Sequence, residues 1–267
     1  MLPYPNIDPV LIRLGPLAIR WYGLMYILGL AAAFFLIKAR AAQRQVALKL
    51  EDLHDLILYG AIGVILGGRL GYTLFYNLPY YIENPVKILA VWEGGMSFHG
   101  GLFGVILAVW FFGKRKGHPF YSIADLVALT APIGLGLGRL GNFINGELYG
   151  RPSDVPWCMV FDRTGGGPFC RHPSQLYEAT LEGIVLFVLL WALGRRPRPG
   201  GTLLWTFIAG YGACRVFVEF FREPDAQLGL WAGMFSMGQA LSIPMVVGGL
   251  IMLAVVHRKQ ASASRRM

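Results

Sequence analysis

The chain has 267 residues, of which 55% are hydrophobic and only 15% charged, with a mean hydropathy of +0.51. A soluble domain carries about 25% charged residues, so the composition excludes an ordinary water-soluble protein and points to an integral membrane protein. The net charge of +9 is gathered in short segments between apolar runs, which is the signature of membrane topology and not of a nucleic-acid groove.

Met1 to Pro16 are proline-rich and carry no basic n-region, so no cleavable signal peptide is read and the first membrane helix serves as the insertion signal. A helix that spans the hydrocarbon core needs about 20 apolar residues. Seven runs fit: Leu17–Ile37, Leu53–Tyr76, Ser97–Gly113, Ile123–Asn142, Ser174–Leu193, Thr202–Phe221 and Met237–His257. The third is short and glycine-rich.

Basic residues follow the first, third, fifth and seventh runs. They are Lys38, Arg40, Arg44 and Lys49, then Lys114, Arg115 and Lys116, then Arg195, Arg196 and Arg198, then Arg258, Lys259, Arg265 and Arg266. The positive-inside rule therefore expects a periplasmic N-terminus and a cytoplasmic C-terminus. The expected fold is an all-α integral membrane protein of about seven transmembrane helices. It forms a single polytopic domain over residues 1–267, with an extracytoplasmic loop at about 146–173. Cys158 and Cys170 lie in that loop, and their placement leaves a disulfide and two free thiols equally open.

Arg69, Arg139, Arg215 and Arg222 sit inside apolar runs. An ionised side chain there costs from about 2.5 to more than about 10 kcal/mol, so each needs a reason. With the orientation above, Arg69, His99, Arg139, Asn142 and Arg215 fall in the outer half of the bilayer, at the depth of phospholipid headgroups. Tyr211, Arg215, Glu219 and Arg222 are spaced to share one helix face, and Glu219 is placed to hold either guanidinium. Two guanidinium forks make a bidentate phosphate clamp, a task arginine suits better than lysine. The bland roles are snorkelling for Arg222 and carboxylate pairing between helices for Arg69. His99, between glycine pairs, is either a proton acceptor or a histidine bonded between helices. No metal cluster or cofactor motif is visible, and the spans hold no protease signature.

The stretch Gly138-Arg139-Leu140-Gly141-Asn142-Phe143-Ile144-Asn145-Gly146-Glu147-Leu148-Tyr149-Gly150 resembles the signature of the bacterial prolipoprotein diacylglyceryl transferases. Further segments resemble the same family: Ser97-Phe98-His99-Gly100-Gly101, His172-Pro173-Ser174-Gln175-Leu176-Tyr177-Glu178, and Tyr211-Gly212 with Arg215, Glu219-Phe220 and Arg222-Glu223-Pro224-Asp225. The resemblance covers essentially the whole chain in order. It implies a cofactor-free enzyme of the bacterial inner membrane that moves diacylglycerol from phosphatidylglycerol onto the lipobox cysteine thiol of a preprolipoprotein signal peptide, releasing glycerol phosphate. The implied partners are membrane lipids and that peptide, with no nucleic acid. On this reading Arg139 and Arg215 hold the donor phosphate, and His99 takes the thiol proton or only orients the lipid. Asn142, Asn145 and Glu147 bind the glycerol headgroup or order the site, Gly150 supplies a turn that lets lipid pass, and Tyr26 and Tyr211 complete the set. Glu219, Arg69 and Arg222 support it. The alternative is a transporter for an anionic lipid or solute with an arginine-lined site, which the inner half, poor in polar groups, disfavours.

Overall fold

The computed structural model describes residues 1–15, 17–43, 46–223, 230–231 and 235–264. Arg44, Pro224, Asp225, Arg265 and Arg266 lie outside the described residues. The chain clusters into two compact units, one of Met1–Ala33 with Val127–Met267 and one of Phe34–Leu126.

Five helical stretches are long and apolar enough to cross a membrane. They are α1 (Trp21–Gln43), α2 (Leu50–Phe75), α5 (Phe120–Asn145), the continuous stretch Ser174–Leu193, and Met237–Ser262 within α9 (Met237–Ser264). The stretch Ser174–Leu193 is built from α6 (Ser174–Glu178), a π-helical segment (Ala179–Val185) and α7 (Leu186–Leu193). The remaining two expected runs are helical as well: α4 (Phe98–Lys116) and the shorter α8 (Thr202–Val218). Large apolar side chains such as Ile27, Phe35, Leu66, Ile184, Leu250 and Ile251 stand exposed on these helices. Water would penalise that surface, whereas lipid accepts it.

The chain is not wholly helical. Residues expected to open the first span instead form a hairpin, β1 (Val10–Leu14) with β2 (Leu17–Arg20), in which Leu14 faces Leu17. Helix α1 therefore starts at Trp21. Two more short antiparallel pairs occur, β3 (Met159–Val160) with β4 (Cys170–Arg171) and β5 (Leu230–Trp231) with β6 (Phe235–Ser236). Cys158 and Cys170 are joined in a disulfide beside the β3–β4 pair, with Cα atoms 5.4 Å apart.

In the first unit, Leu129, Leu186, Leu190, Leu203, Phe207 and Tyr211 form a core between α5, α7 and α8. A smaller aromatic cluster of Tyr4, Phe143 and Phe161 fixes the C-terminal end of α5, and the Tyr4 hydroxyl donates to the Phe143 carbonyl at 2.7 Å. In the second unit α2 packs along α4, with Gly63, Gly67 and Gly71 facing Gly100 and Gly104, the small-residue contact that lipid-embedded helices use.

Arg69 belongs to this second unit and is 3% exposed. The carboxylate partner of its bland role is absent among the described residues. Its guanidinium instead donates to the carbonyls of Lys87, Ile88, Ala90, Gly94 and Gly95, and lies 5.1 Å from the Tyr81 ring centroid. Gly94 and Gly95 both adopt positive φ, +86° and +74°, which lets two successive carbonyls turn onto one cation. Arg69 thus ties the irregular segment between α3 (Leu78–Glu83) and α4 to α2.

Candidate active site

Helix α5 carries Arg139, Asn142 and Asn145 toward its C-terminal end. Glu178 closes α6, and Glu182 lies one turn on, inside the π-helical segment. Tyr211 and Arg215 come from α8, whose helix ends at Val218. Glu219 and Arg222 therefore sit in the turn beyond it, and the expected single helical face stops short of Arg222. The chain tightens there, with the Phe221 amide bonded back three residues to the Val218 carbonyl at 2.9 Å. Arg222 then enters a β-bridge with Gly150.

Arg139 and Arg215 converge on Glu178, which has no exposed surface. The Arg139 Nε lies 3.2 Å from Glu178 Oε2, and the Arg215 Nη1 pairs with Glu178 Oε1. Arg215 Nη2 also lies 2.6 Å from Glu219 Oε1, and Arg222 Nη1 shares that oxygen at 3.2 Å. Glu219 is held from its other side by the Ser236 hydroxyl at 2.8 Å, at the start of α9, where a helix N-terminus favours a carboxylate. Glu182 approaches Arg139 Nε only to 3.7 Å.

The two central arginines are therefore not equivalent. Both terminal nitrogens of Arg215 are engaged by carboxylates. Arg139 meets its carboxylates through Nε, and neither of its Nη groups donates a hydrogen bond to a described residue. A guanidinium with its Nε edge anchored presents its terminal pair as a preset fork for an oxyanion.

Beyond α5 the chain folds tightly over this cluster. Asn142 and Asn145 both donate to Glu147 Oε1, at 2.8 and 3.1 Å. Gln175 donates to the Glu147 carbonyl at 2.7 Å and Ser174 to the Leu148 carbonyl at 3.0 Å. Gly150 forms a β-bridge with Arg222. It lies where strands cross, and a Cβ there would meet the Phe221 carbonyl at 2.5 Å and the His172 Cβ at 2.7 Å. Its requirement for glycine is close backbone approach. His172 stands beside it, with Nδ1 3.0 Å from the Tyr177 hydroxyl, which Trp157 Nε1 also meets at 2.6 Å.

Tyr211 is buried against Phe207, with ring centroids 6.0 Å apart. Tyr26 is half-exposed on α1, its hydroxyl 3.4 Å from that of Tyr22. Arg69 and His99 belong to the second unit. His99 is exposed in the first turn of α4, behind the Ser97 cap that accepts the Gly100 amide at 3.2 Å. Among the described residues no cluster of three or more His, Cys, Asp or Glu that could hold a metal ion is present.

The profile of the prolipoprotein diacylglyceryl transferases matches residues 9–255. The chain belongs to that family. It is 62% identical over 259 residues to the phosphatidylglycerol–prolipoprotein diacylglyceryl transferase of Geobacter sulfurreducens, covering 97% of this chain and 99% of the relative. It is 56% identical over 262 residues to the protein of the same name from Bordetella avium (98% and 99% covered), and 54% identical over 263 residues to that of Pseudomonas aeruginosa (98% of each).

For this transferase-family chain, a reading built on basic residues leaves Glu178 and Glu182 without a role. The available signal is two carboxylates four positions apart inside an apolar run, which by the cost of burying charge demands partners just as an arginine does.

Proposed function

We propose that this chain transfers diacylglycerol from phosphatidylglycerol to the lipobox cysteine of preprolipoproteins, the first step of bacterial lipoprotein maturation. The observation that carries this reading is the junction of Arg139 and Arg215 on one buried carboxylate, in a chain 62% identical to a protein so named. The transporter alternative draws no support from that family.

In the proposed mechanism the lipid phosphate meets the terminal fork of Arg139, with Arg215 locked behind it by Glu178 and Glu219. The cysteine sulfur attacks the glycerol carbon of the diacylglyceryl group. An S–C bond forms as the C–O bond to phosphate breaks, and the electron pair leaves with glycerol phosphate. Fixed cations at the phosphate stabilise the charge that develops on it. His99 takes the thiol proton or orients the lipid; an ordinary thiol pKa of about 8.5 means modest assistance suffices. Asn142, Asn145 and Glu147 contact the glycerol headgroup, with Tyr26 and Tyr211 alongside.

The chain is proposed to act as one polytopic domain of the bacterial inner membrane. On this reading it has seven spans, with the N-terminus and the site on the periplasmic side and the C-terminus in the cytoplasm. Support comes from the basic residues at or after the C-terminal ends of α1, α4, α7 and α9, and from the disulfide in the loop, which suits an oxidising compartment. Incubating the purified protein with phosphatidylglycerol and a lipobox peptide tests the activity. A mass increase equal to one diacylglyceryl group on the cysteine is expected, and an unmodified peptide would overturn the assignment.

A further inference from the structure

Glu182 has no exposed surface, and neither of its carboxylate oxygens receives a hydrogen bond. Its neighbour on the same helix, Glu178, is clasped by two guanidinium groups. Glu182 has only the 3.7 Å approach of an Arg139 nitrogen that already lies closer to Glu178. A buried carboxylate without donors is held in its charged form weakly, so of the three acids in this network it is the one positioned to take a proton.

The charge count gives that proton a consequence. Arg139, Arg215 and Arg222 are linked to Glu178, Glu182 and Glu219 in one buried network. With all six ionised the network is neutral and offers an anion no net attraction. With Glu182 protonated it carries one positive charge, which matches the net single negative charge of phosphatidylglycerol and not a net-neutral zwitterionic lipid.

We propose that Glu182 takes up a proton when phosphatidylglycerol binds, so that lipid capture and protonation of this carboxylate are one coupled event. The inference rests on the reading that the phosphate binds at Arg139. The charged and titratable groups acting on Glu182 are Glu178 on its own helix, Arg139 from α5, and Arg215 and Arg222 from α8 and the turn after it. Tyr211 and Cys214, both on α8, also lie within its field. Of these only Glu182 combines full burial with a lack of hydrogen-bond donors to both oxygens. Its place in a π-helical segment fits a functional use, since such segments gather at functional sites.

The test measures affinity of the full chain in detergent for phosphatidylglycerol and for zwitterionic phosphatidylcholine, from about pH 5 to about pH 9, a range that spans carboxyl and imidazole titration. Uptake of one proton with the lipid strengthens affinity by up to about tenfold per unit fall in pH across part of that range. Only phosphatidylglycerol should show it. The Glu182→Gln variant should bind phosphatidylglycerol at the wild type's acid-limit affinity at every pH. Wild-type protein in weak buffer should take up about one proton per lipid bound, a readout that needs no variant.

A pH-independent wild-type affinity, or an unchanged slope in Glu182→Gln, would overturn the proposal. An Arg139→Ala variant separates the two claims. If it binds phosphatidylglycerol like wild type, the placement of the phosphate at Arg139 falls, and the proposal with it. If it loses binding while the wild-type affinity ignores pH, only the role of Glu182 falls.

Discussion

Arg139 and Arg215 come from different helices and meet on opposite oxygens of the same carboxylate, that of Glu178. Glu178 is thus the joint of the site. It sets the distance between two guanidinium groups that the sequence separates widely, and it neutralises charge that hydrocarbon would otherwise penalise.

Replacing Glu178 with glutamine keeps the shape and removes the charge. Breaking a buried ion pair from one side costs about 3–5 kcal/mol. Glu178→Gln is therefore expected to lower thermal stability and to cut the transferase rate by at least about 100-fold, some 2.7 kcal/mol of barrier. Thermal unfolding in detergent and a purified transfer assay read both. A variant with wild-type rate would show that the joint is dispensable.

Arg69 makes a contrasting prediction. Its bonds go to backbone carbonyls of residues 87–95, and hydrogen bonds from a charged group are worth about 1.5–3 kcal/mol each at best. Arg69→Met is expected to speed amide hydrogen exchange across 85–96 more than anywhere in 127–223. Unchanged exchange there would mean that the segment holds itself in place.

His172 carries the pH prediction. Partial burial pushes its imidazole below the usual histidine range, so the folded chain binds that proton less readily than the unfolded chain does. Stability is then greatest above about pH 6.5, the ordinary histidine value, and falls as pH drops below it. His172→Gln is expected to flatten this fall in a pH series of thermal midpoints. A slope identical to wild type would assign it to other groups.

The apolar runs announced the long helices because each must bury its backbone bonds within itself in lipid. Trp21 rather than Leu17 starts α1 because Leu17–Arg20 pairs with Val10–Leu14 as a hairpin, and short strands leave little trace in a hydropathy window. The convergence of Arg139 with Arg215 was legible from depth alone, since each needs a polar partner at a similar level. Which partner was not, because Glu178 lies in a run whose average is strongly apolar. The partners of Arg69 were hidden for a related reason: carbonyl oxygens satisfy a guanidinium as well as a carboxylate does, and they leave no mark in the sequence. Gly150 needed the fold as well, since its crowding comes from Phe221 and His172.

The central claim is that the fork of Arg139 holds the lipid phosphate while Arg215 is locked behind it. The most direct measurement is the rate of diacylglyceryl transfer from phosphatidylglycerol to a lipobox peptide by purified Arg139→Lys. That change keeps the charge and removes the fork. A fall of at least about 100-fold, with thermal stability closer to wild type than that of Arg215→Lys, is the predicted result. Transfer at the wild-type rate would contradict it.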